Sequence, residues 1–176
     1  MKRLSNRIRK FYEATGQRMH IVGHSIGGIV GRGISHQIPD AVASLTALGS
    51  PNGKGEDFER SIDPFVLSLA RLTVPTLRRG KDLSRKTEDL TKPLHPVIRT
   101  TYIFTKDDAV VNWEQTRDLS TSAENIEVPG THSGLVANPH VLKHVAHILS
   151  DAHEDQVSMR NVVVFQASRS SLGPAA

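Results

Sequence analysis

The sequence predicts an α/β fold built on a mostly parallel sheet, and three observations carry that expectation. Short apolar and β-branched runs alternate with stretches of helical spacing, the pattern of strand–helix–strand units whose strands run parallel. Glycine, proline and asparagine punctuate the junctions. A serine, an aspartate and a histidine (Ser25, Asp108 and His132) each stand just after a predicted strand, at the end of such a sheet where sites collect.

Taken in order, residues 3–15 place Leu4, Ile8, Phe11 and Tyr12 on one helical face, with Arg3, Arg7, Arg9 and Lys10 mostly elsewhere. This predicts a helix packed on the sheet with its charges in solvent, ended by Gly16 as a C-cap. Met19-His20-Ile21-Val22 is short and apolar enough for a buried strand. The helix expected after residue 25 carries Gly27, Gly28, Gly31 and Gly33 and ends before Pro39. Each glycine costs about 1 kcal/mol relative to alanine, which close packing of this helix on its strands would offset. Residues 41–48 read as the next strand, closed by the turn residues Gly49-Ser50-Pro51-Asn52-Gly53.

From about 54 to 96 the pattern changes. Phe65, Leu69 and Leu72 have helical spacing, and Arg78, Arg79, Lys81, Arg85 and Lys86 form a basic cluster. The stretch is too long for a simple connection and reads as a lid-like insertion, the alternative being an ordinary crossover with surface charges. Val97 to Phe104 reads as a strand and Asn125 to Val128 as a short one. Pro139 opens a last helix to about Ser150. One domain is therefore expected over 1–150, with 151–176 a loosely ordered C-terminal extension in which Val162-Val163-Val164-Phe165 is strand-like.

Composition narrows the chemistry. The 176 residues suffice for one domain with a real core. There are no cysteines, which excludes disulfides, a cysteine-based zinc site and thiol catalysis. A net charge of +4 is mildly basic and does not by itself identify a nucleic-acid binder. The start Met1-Lys2-Arg3 lacks the apolar core of a signal peptide, and no apolar run is long enough to cross a bilayer. A cytoplasmic location is the expectation. His140, His144 and His147 share a helix face at a spacing that could bind a metal, but no acidic residue joins them and a solvated surface is expected. No metal and no cofactor are expected.

The stretch Gly23-His24-Ser25-Ile26-Gly27 fits the G-x-S-x-G nucleophile elbow, a sharp strand-to-helix turn that lifts a serine clear of the sheet. The turn strains the serine backbone. Side chains two residues to either side would collide, which explains a glycine at both places. The following helix aims free N–H groups at a developing oxyanion, with the Ile26 N–H as one donor. The chain order Ser25, Asp108, His132 is that of a serine–acid–histidine set in which the hydroxyl attacks a carbonyl, the imidazole carries the proton and the carboxylate fixes the imidazole tautomer.

These residues, together with Leu48-Gly49-Ser50-Pro51-Asn52-Gly53, Asp108-Ala109-Val110-Val111 and the segment from His132 to Asn138-Pro139, resemble the C-terminal part of a lipase-like α/β-hydrolase over roughly residues 3–150. The resemblance implies ester hydrolysis, with triacylglycerol lipases and the GPI inositol-deacylase type as near cousins, on a small-molecule ester or lipid substrate. It implies a structural role for His24, and it favours Asp108 over the adjacent Asp107 as the acid. The departure is at the front, where one helix stands in place of the several strands expected before the elbow. The loop that supplies the second oxyanion donor would lie there, and one such donor is worth about 2.7–4 kcal/mol. The elbow strand would also become a sheet edge with unpaired backbone groups. A fragment is the favoured explanation, ahead of half of a two-chain protein or a chain that pairs its edge with itself or a partner. The rival to an ester hydrolase is accordingly an inactive remnant that binds a partner through that edge. An anion-binding module using the basic N-terminal helix and the Arg78–Lys86 cluster stands third.

Overall fold

The computed structural model describes residues 2–52, 92–120 and 122–151. The lid-like insertion up to residue 91, the basic cluster within it, and the extension after 151 with its strand-like run lie outside the described residues.

Helix α1 spans Lys2–Thr15 and stops where the sequence supplies a left-handed residue: Gly16 has φ +69° and its N–H donates to the Tyr12 carbonyl at 2.7 Å. Strand β1 (Met19–His24) leads into helix α2 (Ile26–Gln37), and Pro39 opens a 3-10 turn at Pro39–Ala41. Strands β2 (Val42–Leu48), β3 (Arg99–Phe104) and β4 (Ala123–Glu127) follow, and helix α3 covers residues 139–151. The four strands form one parallel sheet in the order β1-β2-β3-β4. The protein thus has the α/β architecture that the alternation of segments predicts. Every residue of β2 is buried, as a strand covered on both faces must be, and this explains why its sequence is apolar or small throughout.

The sheet separates two apolar clusters. On one face α2 covers Leu45, and Ile34 and Ile38 meet Ile8 of α1 together with Val42, Leu94 and Ile98. On the other, Leu48 and Ile103 pack with Val128, Leu135 and Val141, the last from α3. The glycine-rich surface of α2 is what lets this helix lie close. A Cβ at Gly31 would come within 2.8 Å of Leu45 Cδ1 and 2.9 Å of Ile21 Cγ2.

Two features depart from the expectations. Helix α1 docks against α2 and the Pro39–Ala41 turn, and Ile8 joins the cluster that includes Val42 and Leu45 of the sheet, so its contact stripe runs through Ser5, Ile8 and Tyr12. Leu4 and Phe11, assigned to that face by spacing, are exposed, while Ser5 is buried and donates to Gln37 Oε1 at 2.8 Å. Second, α2 carries a buried charge. Arg32 donates to Asp118 Oδ2 at 2.9 Å, to the Tyr102 hydroxyl, and to the Lys92 carbonyl at 2.7 Å. Burial pushes the Tyr102 phenol up to about 12, against the opposing influence of Arg32.

Candidate active site

The site is built at the carboxyl ends of the strands. Ser25 follows β1 directly and is, among the described residues, the non-glycine residue with positive φ (φ 53°, ψ −122°). Such a backbone costs on the order of 1–3 kcal/mol and persists only where its surroundings impose it. Here they do. The Ser25 N–H donates to the Leu48 carbonyl at 2.9 Å, which continues the β1–β2 ladder past the turn. Gly23 lies so close beneath α2 that a Cβ would stand 2.5 Å from Gly27 C and O and from Gly28 N. Gly27 is different, because a Cβ there would meet nothing within 4 Å among the described residues. The steric reason given for glycine at both flanks therefore holds at Gly23 and fails at Gly27. The neighbour that does need to be small is Gly28, where a Cβ would fall 2.1 Å from Ser50 Oγ and 2.6 Å from Ser50 Cβ. Ser50 is buried behind the turn, with Oγ 3.3 Å from the Gly23 carbonyl and 3.2 Å from the Leu48 carbonyl, so it ties the ends of β1 and β2 together.

Asp108 lies in the turn after β3. Its Oδ1 accepts the N–H groups of Val110 at 2.9 Å and Val111 at 2.8 Å, and its Oδ2 lies 2.7 Å from His132 Nδ1. Burial alone would raise this carboxyl, but the His132 hydrogen bond and the two backbone donors outweigh it and hold Asp108 below its ordinary value. A carboxylate can only accept, so Nδ1 carries the proton and Nε2 is left as the basic nitrogen. The side chains of the pair are 8% and 1% exposed for His132 and Asp108, respectively, which removes competing water from the bond. The adjacent Asp107 is exposed, and its backbone N–H donates to Thr105 Oγ1 at 3.3 Å.

His132 sits between β4 and the 3-10 segment Ser133–Ala137. Its loop is anchored by Thr105 Oγ1, which donates to the Gly130 carbonyl at 2.9 Å, and by Asn138 Nδ2, which donates to the Pro129 carbonyl at 2.6 Å. Leu135, fully buried, pins the far side. No hydrogen bond joins Ser25 Oγ to the His132 ring among the described residues. The elbow reaches that histidine through the preceding residue instead: His24 Nε2 lies 2.9 Å from the His132 carbonyl oxygen, and the two rings are 4.7 Å apart and tilted by 47°. Ile26 opens α2, so its N–H has no acceptor inside the helix.

The structure thus brings Asp108 and His132 into contact, and sets Ser25 at the carboxyl end of β1, at the same end of the sheet with the tip of β2 between. Gly49, between them at the end of β2, was legible only as a turn residue. It has φ +52°, and a Cβ there would stand 3.2 Å from His132 Nδ1 and 3.3 Å from Asp108 Oδ2. Among the described residues, no three His, Cys, Asp or Glu side chains gather in a way that could hold a metal, and no helix is long and apolar enough to cross a membrane.

No protein-family model matches the chain, and no match was found among curated proteins. Solved structures do match it. The fold is similar to that of a monoacylglycerol lipase from Paleococcus ferrophilus, with TM-score 0.57 and 14% identity over 86% of this chain and 74% of that one. It is similar to a structure from the Thaumarchaeon Nitrososphaera gargenis described among carboxylesterases, with TM-score 0.55 and 17% identity over 88% of this chain and 73% of that one. Human thioesterase 2 matches with TM-score 0.54 and 15% identity over 86% of this chain and 81% of that one. At these identities the likeness concerns the fold, which is that of the α/β-hydrolases.

Proposed function

We propose that the protein is a serine hydrolase of carboxylic esters, with lipid or acyl esters as the favoured substrates. The observation that carries this reading is the 2.7 Å Asp108–His132 pair at the end of the sheet where Ser25 stands in a strained turn of positive φ. Several structurally similar proteins are described as lipases or esterases, which supports the class without fixing the substrate.

In the proposed reaction Ser25 Oγ attacks the ester carbonyl carbon and His132 Nε2 takes the hydroxyl proton. Asp108 stabilises the imidazolium and holds its orientation. The oxyanion of the tetrahedral intermediate accepts the Ile26 N–H. Collapse breaks the bond to the alcohol, which leaves with the proton from His132, and the acyl group remains on Ser25. Water, deprotonated by His132, then releases the acid and restores the serine. Asp107 has no part in this sequence. The intact chain should be labelled by a fluorophosphonate probe and should turn over a nitrophenyl ester. Ser25→Ala should remove the labelling and lower turnover by about a millionfold. Labelling that survives the substitution would remove Ser25 as the nucleophile.

One observation favours a second reading. Among the described residues β1 pairs on one side only, and Val22 on it is 45% exposed. An uncovered apolar strand edge is a template for another strand. A partner-binding remnant would show no probe labelling in the wild type and concentration-dependent association in sedimentation. Labelling of a chain that stays monomeric at every concentration would dismiss it.

A further inference from the structure

We propose that His24 is a positioning residue that clamps the backbone of His132 and thereby keeps the His132 imidazole aligned on Asp108. The inference rests on the hydrolase reading for its effect on rate, but the clamp itself can be read without catalysis. A carbonyl oxygen can only accept, so the 2.9 Å contact fixes His24 Nε2 as the protonated nitrogen and the donor. Burial holds the His24 imidazole below its ordinary value, and the neighbouring His132 acts in the same direction; the hydrogen bond and Asp108 act the other way. The ring is therefore a neutral donor, set 4.7 Å from the His132 ring.

The placement gives the contact its meaning. The anchors at Gly130, Pro129 and Leu135 hold the ends of the His132 loop, not His132 itself. The side chain of His132 is held by Asp108, from the β3 side. His24 holds its carbonyl from the β1 side, and His24 is bonded covalently to Ser25. The residue next to the serine in the chain therefore also holds the peptide that carries the imidazole. Loss of the donor would release the His132 carbonyl, so that the peptide carrying the imidazole could shift and take the ring out of line with Asp108.

The test uses two variants of the full chain and two readouts. His24→Phe keeps a flat ring and removes the donor, while His24→Gln puts an amide N–H near the position of Nε2; His24→Leu replaces the Phe variant if that one does not fold. The first readout is kcat and KM for a nitrophenyl ester, with the rate of fluorophosphonate labelling beside it. The second is the far-downfield proton resonance of a His Nδ1–H bonded to a carboxylate, which Asp108→Asn identifies by removing it. The expected result is a fall of about tenfold in kcat and labelling for Phe with KM unchanged, recovery to within about threefold for Gln, and a resonance broadened in Phe and sharp in Gln. A folded Phe variant with wild-type rate and resonance overturns the proposal, as does a Gln variant impaired as much as Phe, or a wild type without the resonance. If the wild type has the resonance but neither labels nor turns over ester, the hydrolase reading fails, and the clamp is then decided by the resonance alone.

Discussion

A methyl group at Gly49 would have to share space with both members of the Asp108–His132 pair and with Leu135 Cδ1 at 2.9 Å, on a backbone whose φ of +52° already disfavours a side chain. Gly49→Ala should therefore destabilise the protein by about 1–3 kcal/mol. It should also slow probe labelling more than a distant substitution of equal destabilisation does, as comparison of melting and labelling would reveal. Gly27→Ala should do the reverse. Among the described residues nothing stands where its Cβ would go, and exchanging glycine for alanine inside a helix gains up to about 1 kcal/mol. A rise in the urea midpoint checks this, and a fall would mean that Gly27 meets a contact in solution that its open surroundings do not suggest. The serine motif was legible because its glycines and serine answer a local steric demand. The need at Gly28 was not, because it depends on Ser50, a residue at another strand's end, and neither was the open space at Gly27.

Helix α2 was legible as an element from its glycines and from Pro39, and its close approach to Ile21 and Leu45 follows from the same glycines. The fate of Arg32 was not. Nothing next to it in sequence announces that Asp118, Tyr102 and Lys92 converge on it from elements far along the chain. Asp118 is in turn held by the Ser120 N–H at 2.9 Å, and its carboxyl lies below the ordinary value although burial acts to raise it. Removing one side of a buried pair leaves the other charged and unpaired, so Arg32→Met should cost about 3–5 kcal/mol. The double variant Arg32→Met, Asp118→Asn should recover part of that, and a denaturation cycle over the four proteins measures how much. Helix α1 shows the same limit in milder form. Its spacing gave an apolar face, but docking against α2 selected Ser5 and Ile8 and left Leu4 and Phe11 outside.

At the scale of the molecule, the strands and the helices were legible because periodicity and turn residues are local signals, and a parallel sheet follows from their alternation; the order of the strands within it was not. The pairing of Asp108 with His132 came from chain order and family resemblance, not from any local pattern. Its electrostatics have a consequence for acid stability. The unfolded chain takes up a proton on His24 near pH 6.5, while the folded protein, with a lowered value, resists it, so stability should begin to fall as pH drops below about 6.5. Asp108 and Asp118 are lowered in the folded state as well. Their contribution is complete above the unfolded carboxylate value, near pH 3.9, and is lost as pH falls below it. Urea midpoints at pH 7.5, 5.5 and 3.5 should decline in two stages. The first should vanish in His24→Gln, and the second should shrink in Asp118→Asn.

The succession β1-β2-β3-β4, in which each strand lies against the next one along the chain, also bears on how the protein acquires its shape. Strands β1 and β2 are joined by a single helix packed on both, whereas β2 and β3 meet only after the long excursion from Leu48 to Arg99 has been closed. The entropy of that closure falls on the later step. The β1–α2–β2 unit should then form the nucleus. Ile34→Val should slow refolding in stopped-flow mixing, and Ile126→Val in β4 should chiefly hasten unfolding.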